Sequence, residues 1–283
     1  MKSPALLVLL STIALAAPDA GVTEAAVVKT PFPKTEACLA LGSPKAPFAF
    51  AVGETLDYDL DALGARAGKM TMRVLPKRDD VLPIEVHAET NTFFSKVRRV
   101  NGTATSALNP KTLRSTHYYE DTMENDVHRV ADVTFRKNKT AKVVSTINTK
   151  SSEFDLQWGN DATDVAGAMY LLRQLEWKEG KSICIDVYGI RRIWRVWGTV
   201  LPREHVSLPV GEFEAWHLAG EAARTDLQDA RREIHVWISD DTRRLPLAAL
   251  GMIDLGAVRA TLVGITRPGD KGQAAENKGN LKW

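Results

Sequence analysis

Residues 54–64 read ETLDYDLDALG. Leu56, Tyr58 and Leu60 alternate with Asp57, Asp59 and Asp61. Helical side chains recur every 3.6 residues, so a period of two cannot line one side of a helix. On an extended strand it gives one apolar face and one wet face. The pattern spreads outward from there. KMTMRVLP sets Met70, Met72 and Val74 against Lys69, Thr71 and Arg73. PIEVHAET sets Ile84, Val86 and Ala88 against Glu85, His87 and Glu89. In DVHRVADVTFRK, Val127, Ala131, Val133 and Phe135 share a parity. The alternation returns in SICIDVYG, RRIWRVWGTV, FEAWHLAGE, REIHVWIS and GAVRATLVGI. Turn formers such as Asn109-Pro110 and Lys137-Asn138-Lys139 punctuate these runs. Half-buried strands with short connections imply an all-β, mainly antiparallel protein, a curved meander or half-open β-barrel.

One segment departs from the pattern. In DATDVAGAMYLLRQLEWKEG, Val165, Met169, Leu172 and Leu175 or Glu176 fall at helical spacing. This predicts one amphipathic helix over 162–176, capped by Asp161 or Thr163 and followed by Gly180. Such a helix would cover the open side of a curved sheet.

The chain of 283 residues is 44% hydrophobic and 25% charged, ordinary values for a packed domain. MKSPALLVLLSTIALAA, residues 1–17, has Lys2, an apolar run and small residues at its end. It reads as a secretory signal cut near Ala16, Ala17 or Ala20, the alternative being an uncleaved anchor. No cysteine closely follows the run, which argues against a lipid-anchored form, and no later segment is apolar enough for a membrane helix. The expected organisation is an irregular arm over 18–47, one β-rich domain over 48–266 and a disordered tail over 267–283. The mature protein is expected to be soluble and exported, with the periplasm as its compartment. The two cysteines, Cys38 and Cys184, then form one disulfide, or else are two separate buried thiols.

A net charge of +2 supplies no broad basic field for nucleic acid. His87, His117, His128, His205, His217 and His235 show no metal-ligand spacing, and no cofactor or metal is expected. No nucleophile elbow, P-loop or dinucleotide fingerprint occurs, and Ser182 and Ser207 have no visible base. VWISDDTRRLP, residues 236–246, places Val236 and Ile238 on one strand face and His235 and Trp237 on the other. Asp240 and Asp241 then fall at a turn, and Arg243 and Arg244 begin the return to Pro246. The competing reading makes Asp240 or Asp241, with Glu54, the carboxylates of a hydrolase.

YGIRRIWRVWGTV carries the candidate ligand-binding residues Arg191, Arg195, Trp194 and Trp197. Arg191, Ile193, Arg195 and Trp197 would share one face, with Arg192, Trp194 and Val196 on the other. Arginine beside tryptophan can hold an anionic or sugar-like ligand. The plainer alternative is a strand with a core tryptophan and solvated arginines. Likewise Trp158, Trp177, Trp194, Trp197, Trp216 and Trp237 would either line a lipophilic cavity or fill a β core.

The order of these pieces resembles a bacterial family named domain of unknown function 3108. GETLDYDLDALGARAGKMTMRV, LNPKTLRS, DVAGAMYLLRQLEWKEGKSI, LPVGEFEAWHL and VWISDDTRRLPLAALGMIDLGAVRATLVG carry the resemblance, across residues 48–266. It implies an exported, envelope-associated β protein and imports no catalytic residue. It also implies a half-open barrel like those of bacterial lipoprotein carriers, an analogy of fold alone. The expected function is non-enzymatic binding of a hydrophobic or amphipathic ligand, such as a lipid, on a curved sheet. The alternatives are an envelope scaffold that binds a protein partner and the carboxylate hydrolase.

Overall fold

The alternation at residues 54–64 becomes β1 (Thr55–Ala62), with Leu56 and Tyr58 buried and Asp57 and Asp59 half-exposed. The structure is a computed structural model, and it describes residues 31–34, 38, 41–42, 44, 47–159, 162–253 and 256–269. The expected signal segment, most of the arm and the tail from 270 onward lie outside the described residues.

Seven strands follow β1 as a meander. They are β2 (Ala65–Val74), β3 (Leu82–Thr90), β4 (Val100–Leu108), β5 (Ser115–Glu124), β6 (Val127–Arg136), β7 (Thr140–Ile147) and β8 (Lys150–Gln157). A short β9 (Ala162–Asp164) runs directly into the helix α1 (Val165–Leu172). The second set is β10 (Ser182–Gly189), β11 (Arg192–Val200), β12 (Glu204–Leu208), β13 (Gly211–Arg224), β14 (Leu227–Ser239), β15 (Pro246–Ile253) and β16 (Gly256–Thr266).

β1 pairs with β2 on one side and with β16 on the other. The first and last strands therefore lie mid-sheet, and the two meanders run outward from them, ending at β8 and β9. Apart from the parallel β9–β10 pair, the described pairings are antiparallel. The long β13 pairs with β12 along its first residues and with β11 along its second half. The sheet curls without closing. Its two ends meet through side chains: Ala131, Val133, Ala141 and Val143 of β6 and β7 pack with Tyr188 and Ile193 of β10 and β11.

The helix is shorter than the spacing predicts, and it does a different job. Residues 162–164 are strand, and Asp164, not Asp161 or Thr163, is the cap, accepting from Gly167 N at 2.9 Å. Gly180 lies in a later turn, well past the helix end. Only Val165 of α1 is exposed; Tyr170 and Leu171 are almost fully buried. A helix apolar all round belongs inside, so α1 plugs the curled sheet where an amphipathic cover was expected. Its first turn is tight. A Cβ on Gly167 would lie 2.1 Å from Thr163 Oγ1 and 3.0 Å from Leu108 Cδ2. Tyr170 and Leu171 pack with Leu56, Tyr58, Ile84, Leu108, Val187, Trp237 and Leu262 in one core drawn from both meanders. Each fully buried large side chain there stabilises the fold by about 1.5–3 kcal/mol.

Candidate functional site

Arg173 follows the last turn of α1, where a cation suits the helix dipole. Its side chain and that of Glu54 are wholly buried and meet in a two-pronged ion pair, at 2.5 and 3.2 Å. The guanidinium also donates to the carbonyls of Ala49, Arg243 and Arg244, and lies over the rings of Phe50 and Tyr170. Arg267 contacts the second Glu54 oxygen at 3.2 Å. The helix end thereby grips the corner between β14 and β15.

That corner holds the paired aspartates and arginines. Asp241 accepts from Arg243 N, Arg244 N and Ser239 Oγ, and its second oxygen pairs with the Arg243 guanidinium. Asp240 accepts from Arg203, Arg244 and the Trp216 indole. Burial raises both acids, but these donors outweigh it and leave both below the usual carboxylate range. Each carboxylate named for hydrolysis, Glu54, Asp240 and Asp241, thus already has a guanidinium partner. The strand leading into the corner is buried on both sides: Val236 and Ile238 face one cluster, Trp237 the main core.

The candidate binding residues of β11 do not converge. Arg195 and Trp197 are buried on one face, while Trp194 lies half-buried on the other, under the Arg232 guanidinium. Arg191 sits in the β10–β11 turn with φ +58°. Arg195 makes a buried two-pronged pair with Asp186 at 2.8 and 3.0 Å. Its Nη1 donates to Pro33 O at 2.9 Å, and Phe32 packs edge-on against Trp197. The chain's own N-terminal arm therefore contacts this face, and Arg231 lies over Trp197. Cys184, opposite Trp197 in the ladder, is disulfide-bonded to Cys38 and pins the same arm.

The tryptophans also go to separate places. Trp237 is in the main core, Trp177 packs with Leu172 and Val200, and Trp158 lies beside Phe135. Trp177 Nε1 donates to Leu172 O, satisfying one of the open carbonyls at the helix end.

Two polar clusters carried no signal of sequence spacing. Asp164 is sealed under α1, where burial raises its carboxyl against the bonds from Ser106 and Ser115. The second joins His217 and His235. His217 Nε2 lies 2.8 Å from His235 Nδ1, and His235 Nε2 lies 2.8 Å from Glu233. Both rings stack on Trp237, which donates to Glu204. Glu233 can accept from His235, and His235 from His217, with both rings neutral. His217 Nδ1 then faces Glu204 at the longer distance of 3.3 Å. That carboxylate favours the charged ring, but burial and the adjacent His235 prevail and hold His217 down at about 4.

The depressed value has a defined sign. Above the ordinary 6.5 the contribution to stability is complete; as pH falls toward 4 the unfolded chain takes the proton first and stability drains away. The loss approaches about 3 kcal/mol. His217→Gln should flatten this acid limb when urea midpoints are compared from neutral pH downward. An identical slope in the variant would show that His217 does not titrate this way.

An accessible concavity opens at one end of the first meander. Arg66, Gly68, Lys69, Glu89, Thr90, Asn91 and Thr92 line an open groove of about 580 Å³ at the ends of β2 and β3. Gly68 lets the strands close up there, since a Cβ would lie 2.1 Å from Glu89 O. Asn91 anchors the rim: its Nδ2 donates to Arg66 O at 2.5 Å and its Oδ1 accepts from Phe94 N at 2.7 Å. Phe94 is buried against Ala62, Ala67 and Val258, which leaves its neighbour Phe93 outside. Among the described residues, no group of three or more His, Cys, Asp or Glu is arranged to hold a metal. No described helix is long and apolar enough to cross a membrane.

Comparison with known proteins agrees with this architecture. Residues 56–263 match the family described as "Protein of unknown function (DUF3108)". The chain belongs to the DUF3108 family. Its fold is similar to a β-barrel-like protein of domain of unknown function DUF1849 from Brucella abortus, with TM-score 0.53 and 13% identity over 78% of this chain and 99% of that one. Weaker likenesses include protein CT021 of Chlamydia trachomatis, with TM-score 0.30 and 11% identity over 77% of this chain and 88% of that one. A Bacteroides fragilis protein inferred to be exported, with a YmcC-like fold, also has TM-score 0.30, at 8% identity over 78% and 98%. No curated protein matches the chain. The DUF1849 likeness carries the fold of this DUF3108 chain, a curled barrel-like sheet, and no activity.

Proposed function

We propose that the protein is exported to the periplasm and there binds an amphipathic ligand without catalysing a reaction. The observation that carries this reading is the groove of Arg66 and Lys69, whose lining residue Thr92 is followed in the chain by the exposed Phe93. Lys69 with Thr90 and Asn91, beside Glu89 and the Arg66–Asp59 pair, suits a polar head that both donates and accepts, and the apolar side chain suits a tail. A volume of about 580 Å³ falls within the range of small-ligand sites. The interior of the sheet is taken by α1, which moves the ligand from the concave face to the rim.

The test is native mass spectrometry, with organic extraction, of mature protein purified from its own periplasm. A retained amphiphile, lost in Arg66→Ala/Lys69→Ala, is the expected result. An empty wild type, or equal retention by the variant, overturns the reading.

A second reading has its own observation. β8 pairs with β7 along all its residues and, among the described residues, with no strand on its other side. An open edge can accept a partner's strand. Crosslinking in the envelope from the exposed Ser151 position would capture that partner, whereas the ligand reading expects none there.

A further inference from the structure

The loop from β3 to β4 reads NTFFSKVRR over residues 91–99, with three cations, three large apolar residues and no acid. A single tight turn sorts these residues. Phe94 points inward and is 6% exposed; Phe93 and Val97 point outward and are 69% and 58% exposed. The turn is well braced, since Ser95 Oγ donates to Asn91 O at 2.7 Å and Val97 N to Phe94 O at 2.8 Å. Leu63, 61% exposed, stands at the β1–β2 tip of the same corner, where Ala62, Ala67 and Val258 surround Phe94. Large side chains held outward on a rigid turn meet no described residue that hides them. Exposed apolar groups of this kind mark an interaction site.

Charge says what covers them. Lys96 and Arg99 are exposed beside Phe93 and Val97, and Lys69 rims the adjacent groove with Glu89 and with Arg66, itself paired to Asp59. Arg98 and Arg99 contact Glu124 and Asp126 of the neighbouring β5–β6 turn, which holds both guanidinium groups at this end. An aromatic tip with flanking Lys and Arg is the chemistry of the bilayer interface, where rings sit at headgroup depth and cations meet anionic phosphates.

We propose that the 91–99 turn docks the protein on an anionic membrane surface. Phe93 and Val97 enter the headgroup layer, with Leu63 beside them, while Lys96 contacts lipid phosphates. The inference stands on the turn itself and does not require the groove to be occupied.

Flotation of the mature protein with vesicles tests it. Phosphatidylcholine vesicles carrying added phosphatidylglycerol are expected to bind the protein, and pure phosphatidylcholine vesicles to bind it far less. Binding should weaken as salt rises. Phe93→Ala should lower partitioning about tenfold and Lys96→Ala about fivefold. Both side chains are exposed, so thermal unfolding of either variant should match wild type. No binding, equal binding to both vesicle types, or unchanged binding by Phe93→Ala overturns the proposal. Arg66→Ala/Lys69→Ala separates the two readings: loss of the extracted amphiphile with flotation largely kept means that docking and ligand binding are distinct, while loss of vesicle binding in Lys96→Ala, whose side chain lies outside the groove, with the amphiphile retained supports docking by the turn.

Discussion

Arg173→Ala is expected to cost about 3–5 kcal/mol of stability, enough to leave much of the chain unfolded. The size follows from what the side chain leaves behind. Glu54 is fully buried, and its closest partner at 2.5 Å would be gone, leaving Arg267 at 3.2 Å. The carbonyls of Ala49, Arg243 and Arg244 would also lose donors. Unpaired buried charge and unmet buried carbonyls both carry large penalties. Removing the two ends together gives a sharper test. Glu54→Leu with Arg173→Met takes away both charges, so the double variant should lose less than the sum of Glu54→Ala and Arg173→Ala. Urea unfolding of the four proteins measures this. A loss below about 1 kcal/mol in Arg173→Ala would mean that water or a nearby group replaces the guanidinium.

The same network shows what a sequence can and cannot say here. The strand at residues 54–64 was legible because burial on one face imposes a period of two, and Leu56 and Tyr58 obey it. Where strands are buried on both faces the period fades. His217, His235 and Trp237 sit in such strands, and no spacing rule pairs His217 with His235, because their proximity comes from the β13–β14 register. The helix was legible as a break in period, but its length was not. Leu175 and Trp177 continue an apolar run for the sake of a second cluster beyond the helix end. Arg195 and Trp197 were visible as an unusual pairing on one strand. Their partners, Asp186 and Phe32, are nine and 163–165 positions away, so the partners could come only from the fold. Glu54 and Arg173 are 119 positions apart, and no spacing rule links the two stretches that carry them. The groove of Arg66 and Lys69 was missed because strand alternation assigns those cations to a plain wet face, and only the β3–β4 turn beside them makes a concavity.

Reducing the Cys38–Cys184 bond, or replacing Cys184 by Ser, should have an effect of similar size. The cysteines are 146 positions apart, and closing so long a loop removes entropy from the unfolded chain worth about 5 kcal/mol in the chain-entropy model. The native contacts indicate what happens to the arm as well. Pro33 O on Arg195, Phe32 against Trp197, Gly42 O on Arg114 and Leu41 against the core are contacts of a segment whose described residues form no strand. Without the covalent tie, those contacts alone must offset the entropy of ordering the segment. The arm is therefore expected to release before the sheet unfolds. Releasing it would uncover the Trp197 ring and leave one donor of Arg195 seeking water, while the Asp186 pair stays intact. Limited proteolysis with and without reductant separates the two stages: early cleavage N-terminal to residue 47 with the β domain intact, then global unfolding at a lower urea midpoint than the oxidised protein. If the reduced protein keeps both its midpoint and its protease resistance, the arm is held by packing alone, and Arg195 and Trp197, not the disulfide, are its anchor.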